Sequence, residues 1–106
     1  MAVHRLDRVE RAETIGRRFF GLMGRRDLGD VRLWFPRCRS VHTCFMRGSI
    51  DVVFLDANNT VVELHSGVRP WRLLNARGRV VQSTLELSTG GIRTLALEVG
   101  DEVRWA

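Results

Sequence analysis

The sequence predicts a mainly β fold, β-rich α+β in class, forming a small single-domain barrel or two-sheet sandwich of about seven strands with two short helices. Three observations carry this expectation. Val52-Val53-Phe54-Leu55 is a continuous apolar run between Asp51 and Asp56, and such a run suits a strand covered on both faces rather than one with a wet side. Ala57-Asn58-Asn59 then supplies turn chemistry, since asparagine tolerates left-handed backbone angles, and Thr60-Val61-Val62-Glu63-Leu64-His65 resumes as a β-branched strand, making a hairpin. Short runs of this kind recur at even spacing along the chain, which favours this layout over β-α-β units.

The remaining elements follow from pattern. Val3 to Val9 alternates as a first strand, with Val3, Arg5, Asp7 and Val9 on one face and His4, Leu6 and Arg8 on the other. Ala12, Ile15, Phe19, Leu22 and Met23 recur at helical spacing, predicting a first helix over residues 12–22 that Gly21 and Gly24 stop. Val31 to Phe35 is a strand ended by Pro36. Val41 to Arg47 alternates as a strand with His42, Cys44 and Met46 on one side, and a tight turn at Gly48-Ser49 separates it from the apolar run. Ser66 to Arg72 is expected to be irregular, because Pro70 biases Arg69 to extended angles. Asn75 to Gly78 reads as a turn, Arg79 to Leu87 as a long strand, and Ser88 as the cap of a second helix over residues 88–96. Glu98 to Trp105 closes the chain as strand, turn and strand.

A chain of 106 residues suits one domain spanning 1–106, and 44% hydrophobic with 27% charged residues is ordinary for a folded protein. No apolar run approaches the roughly 20 residues of a membrane span. Met1 to Arg8 carries charges where a signal peptide needs an apolar core, so the expected location is cytoplasmic. Cys38 and Cys44 alone do not make a disulfide framework. Every basic residue is arginine, and the charge is uneven: residues 1–50 hold 11 arginines against 5 acids, whereas 51–106 hold 6 against 7. A basic half can attract phosphates or acidic partners, or can simply be a solvated surface.

V-H-T-x-x-M-R-x-x-I-D-V-V-F-L-D from Val41 to Asp56, with Gly21-Leu22-Met23-Gly24-Arg25 before it, resembles the family catalogued as domain of unknown function 192. Thr84-Leu85-Glu86-Leu87, Gly90 and Val99-Gly100-Asp101 are similar to its later positions, in the same order, so that the likeness covers about Arg11 to Val103. It implies a small mostly-β domain with minor helices and brings no established activity. Gly48-Ser49 departs from the pattern, since many relatives carry a bulky residue and a proline there.

Each candidate chemistry has a structural competitor. His42-x-Cys44-x-Met46 would suit soft Cu(I) if the three shared a strand face. The apolar residue that relatives place at Cys44 reads instead as core, so no metal is assigned. Cys38 or Cys44 with His42 or His65 could make a Cys–His nucleophile, but no oxyanion-hole glycine motif accompanies them. Asp51 and Glu86 could be paired carboxylates, against a reading in which Asp51 satisfies turn amides and Glu86 meets an arginine such as Arg47. A nucleic-acid module in the arginine-rich N-terminal half would want aromatics interleaved with the charge, and tyrosine is absent. Trp71 between Arg69 and Arg72 is either a stacking platform or a lid over the core. No nucleotide-loop, zinc-helix or serine-hydrolase motif is present.

The reading favoured by these residues is a non-enzymatic binding or accessory domain, with no catalytic residue and no cofactor assigned. It recognises a small anion or the acidic surface of a protein partner near the 47–51 turn, and no membrane partner is expected. The candidate residues are Arg47, Gly48, Ser49 and Asp51, walled by Arg69, Trp71 and Arg72. Small residues at a turn let an anion approach backbone amides, and arginine offers a planar fork for carboxylate or phosphate. The alternatives are a small enzyme using Asp51, Glu86 and His42, or the nucleic-acid module. Asp51 is expected to be buried and Arg47 more exposed.

Overall fold

The computed structural model describes residues 1–11, 32–43 and 48–105. Nine strands lie among the described residues: β1 Val3–Arg5, β2 Glu10–Arg11, β3 Arg32–Phe35, β4 Ser40–His42, β5 Ile50–Leu55, β6 Val61–Val68, β7 Leu73–Asn75, β8 Ser83–Ser88 and β9 Glu102–Arg104. One short helix, α1, spans Gly91–Leu95. The first helix expected over residues 12–22 lies outside the described residues.

β5 forms because it is apolar throughout. All six of its residues are buried, as expected for a strand sandwiched between neighbours and covered on both faces. It pairs antiparallel with β6 on one side and β8 on the other, in a five-stranded sheet ordered β2-β3-β8-β5-β6. The β5–β6 hairpin closes through Asp56, whose carboxylate accepts the amides of Asn58 (2.8 Å) and Thr60 (2.9 Å) while Asn59 takes a left-handed φ of 59°. Two smaller ladders flank this sheet, an antiparallel β4–β7 ribbon and a parallel β1–β9 pair. Among the described residues the three ladders form separate sheets, linked by a single isolated bridge between Thr60 and Glu102, so the architecture is a sandwich rather than a closed barrel.

Each face of the large sheet has its own core. Ile50, Val52 and Phe54 point one way and pack with Leu33, Phe35 and Val41, with Leu74 of β7 packed against them. Val53, Leu55, Leu85 and Leu87 point the other way and meet Leu6, Ile92, Leu97 and Val103 from β1–β9 and the α1 region. Truncating a side chain as enclosed as Phe54, with no exposed surface, costs about 3–5 kcal/mol.

Five expectations need correction. The closing segment holds one strand rather than two, since Glu98 and Val99 belong to no strand and β9 follows the turn. β4 does not form a tight hairpin with β5 through Gly48-Ser49; its described partner is β7, through Val41↔Leu74. Residues 66–68 are not irregular but continue β6, with Ser66 and Gly67 bulged against Asp51 between the Ile50↔Val68 and Val52↔His65 pairs. Residues 79–82 do not belong to the long strand, because the chain turns there with the Val81 amide on the Gly78 carbonyl. Ser88 ends β8 rather than capping α1, whose N-cap is Gly90 with no side-chain cap.

Candidate functional site

Asp51 is 1% exposed and fully committed to the scaffold. One oxygen accepts the Gly67 amide of the β6 bulge at 2.9 Å, and the other accepts the Ile92 amide of α1 at 3.0 Å. The side chain thus supplies from a distant strand the capping acceptor that Gly90 lacks. Gly67 meets this role through a φ of 62°, a left-handed conformation that favours glycine.

Glu86 occupies the neighbouring strand, but its partner across the ladder is Val52, whereas that of Asp51 is Leu87. Paired residues share a face and successive residues alternate, so the two carboxyl groups point to opposite sides of the sheet. Glu86 is 7% exposed in the row Leu33, Glu86, Val52, His65. Burial pushes its pKa up to about 8, leaving a neutral acid at pH 7. His42 is exposed on β4. Asp51, Glu86 and His42 therefore do not assemble as an acid–base set.

The loop from β6 to β7 is held by Thr43, which is completely buried. Its hydroxyl donates to the Arg69 carbonyl at 2.6 Å and accepts the Arg72 amide at 2.9 Å. Its amide donates to the Arg72 carbonyl at 2.8 Å, and its carbonyl accepts the Trp71 amide at 3.0 Å. These bonds from one residue thus fix the four-residue arc from Arg69 to Arg72. Within it Trp71 adopts a left-handed φ of 63°, uncommon for a bulky side chain, and stands 60% exposed. Trp71 is consequently not a lid over the core.

Arg69 and Arg72 line a concavity of about 360 Å³ together with Gly67, Val68, Leu73 and Leu74. Among the described residues neither guanidinium forms an ion pair. Gly48 and Ser49 are half-buried just before β5, and the Ser49 carbonyl accepts a bond from the Thr89 hydroxyl. Arg47 lies outside the described residues, as do Cys44 and Met46. The arc was legible only as Arg-Pro-Trp-Arg; Thr43 was missed, its signal being a hydroxyl in an otherwise apolar strand pattern.

Other reactive groups serve the framework. The Cys38 thiol donates to the Ser40 carbonyl at 3.0 Å. Arg39 donates to the carbonyls of Gly78, Arg79 and Val81, bracing the turn before β8. Burial raises the Glu63 pKa, but the Gly78 amide, the His65 ring and the Arg77 amide outweigh it and leave it below the ordinary value. No three metal-ligating groups converge among the described residues, and no described helix is long and apolar enough to cross a membrane.

Comparison with known proteins places this geometry. The family model DUF192, described as "Uncharacterized ACR", matches residues 2–105. A UPF0127 protein of Pyrococcus furiosus is 37% identical over 101 residues, covering 92% of this chain and 85% of the relative. A UPF0127 protein of Thermococcus sibiricus is 36% identical over 103 residues, again 92% of this chain, which spans 66% of that relative's length. The crystal structure of a protein of unknown function from Novosphingobium aromaticivorans superposes with a TM-score of 0.79 at 27% identity, covering 92% of this chain and 74% of the other.

Proposed function

The chain belongs to the DUF192 family, whose function is uncharacterised, and on its own geometry we propose that it is a non-enzymatic binding domain for a small anion. The observation that carries this reading is the arc clamped by Thr43, which sets Arg69 and Arg72 around one concavity. A guanidinium binds carboxylate or phosphate through parallel N–H donors, and a backbone fixed beforehand loses little freedom on binding. The proposed site comprises Arg69, Trp71 and Arg72, with Gly48 and Ser49, just before β5, as further candidate residues. Arg47, the remaining candidate, lies outside the described residues, and Asp51 supports the site through the Gly67 bulge rather than touching ligand.

The volume of about 360 Å³ favours a small carboxylate or phosphate over a broad acidic protein surface. Asp51, saturated by two amides, argues against the paired-carboxylate enzyme. The test is calorimetric titration with inorganic phosphate and with succinate at low and high salt. Binding should weaken with salt and fall at least about tenfold in an Arg69→Ala/Arg72→Ala double variant. Binding of undiminished affinity in this double variant would refute the proposal.

A further inference from the structure

A second concavity, of about 480 Å³, opens where β1 and β9 end, lined by Arg5, Leu6, Arg104 and Trp105. Its construction is unusual for a surface. The parallel register sets Arg5 directly against Arg104, and like charges opposed across a strand pair are unfavourable when nothing lies between them. Arg104 is partly balanced by Glu102 on its own strand, whereas Arg5 has no ion-pair partner among the described residues. The floor is apolar and firm: Leu6 is 5% exposed, and its amide donates to the Arg104 carbonyl at 2.8 Å.

The remaining wall is aromatic and fixed. Trp105 packs edge-on against Trp34 with centroids 5.3 Å apart, and the Arg11 guanidinium lies 5.3 Å from the Trp34 ring centre. Trp105 is half-buried, held from behind by this stack while lining the concavity in front. The site thus combines two fork-shaped cations, an indole surface and a volume within the range of small-ligand pockets.

We propose that this concavity is a separate ligand site for a small phosphate ester bearing a planar ring, of mononucleotide size. Arg5 and Arg104 share the phosphate, whose charge relieves their opposition, and the ring lies against Trp105. Stacking on an aromatic side chain tolerates any planar base, so the site selects for the combination of ring and phosphate rather than for one base. None of its residues belongs to the Arg69–Arg72 arc, so the two sites stand or fall independently.

The test is residue-resolved NMR titration of the full chain with adenosine monophosphate, adenosine and inorganic phosphate. The monophosphate should shift the Arg5 and Arg104 amides and the Trp105 indole. Its Kd should be at least about tenfold below that of either fragment. Arg5→Ala/Arg104→Ala should abolish those shifts while Arg69→Ala/Arg72→Ala leaves them intact; both pairs are exposed, and the folded spectrum of each variant serves as its control. Phosphate binding here as tightly as the monophosphate, shifts confined to the Trp71 arc, or no shifts at millimolar ligand would overturn the proposal.

Discussion

Asp51 and Glu86 lie one register step apart on adjacent strands and face opposite sides of the sheet. Two acids close in sequence pattern and fold topology are thereby divided between two environments. Asp51 is a hydrogen-bonded scaffold carboxylate, while Glu86 is a buried acid whose raised pKa comes from desolvation.

Replacing Asp51 by alanine leaves the buried Ile92 amide and the more exposed Gly67 amide without their acceptor. The expected loss is about 1–3 kcal/mol, most of it from the buried Ile92 amide, a drop of several degrees in Tm for a domain of this size. Arg47→Ala, at a position expected from the sequence to be exposed, should change stability by no more than about 0.5 kcal/mol. Thermal unfolding of the two variants decides the matter, and a larger effect at Arg47 would reverse the assignment.

Glu86 makes stability depend on pH in the alkaline direction. Its folded pKa of about 8 lies above the ordinary 4.5, so its contribution is complete below the ordinary value and is lost as pH rises through the folded one. Urea unfolding at pH 5, 7 and 9 should show this loss, and Glu86→Gln should flatten it. A wild-type slope retained in the variant would contradict the burial-driven shift.

Asp101 acts at the opposite end of the scale. The Ala2 amide lowers its pKa most, followed by the His4 ring at 2.8 Å, and the Glu98 amide adds to them; the result is about 2. A depressed carboxylate stabilises the fold above its unfolded pKa, and this contribution disappears as pH falls toward 2. Asp101→Ala should therefore lower Tm at pH 6 and lose most of that deficit near pH 2, measured by circular dichroism.

Thr43→Val keeps shape but removes the hydroxyl that holds Arg69 and Arg72. It should cost about 1–3 kcal/mol and weaken anion binding, whereas Thr43→Ser should retain both. Equal anion affinity in the valine variant would show that the clamp does not organise the site.

How much of this could be read from sequence depends on range. Val52 to Leu55 and the Asp56–Thr60 turn were legible because burial pattern and turn chemistry are local. The partner of Val41 was not, since alternation assigns a side chain to a face but does not say which strand pairs with it. Ser88 failed as a helix cap because Asp51, forty-one residues before Ile92, already supplies the acceptor. The arginines and tryptophan of the proposed site were visible as residue types. Their common arrangement depends on Thr43, twenty-six residues before Arg69, and on a bulge at Gly67 that residue pattern alone does not locate.

The most direct measurement is an NMR titration of the chain with inorganic phosphate, followed at the backbone amides of residues 67–74 and the Trp71 indole. A saturable, salt-sensitive set of shifts centred on Arg69, Trp71 and Arg72, absent from Arg69→Ala/Arg72→Ala, is the predicted result. Shifts distributed over the arginine-rich surface without saturation, or an unchanged arc, would contradict the assignment of this surface as the anion site.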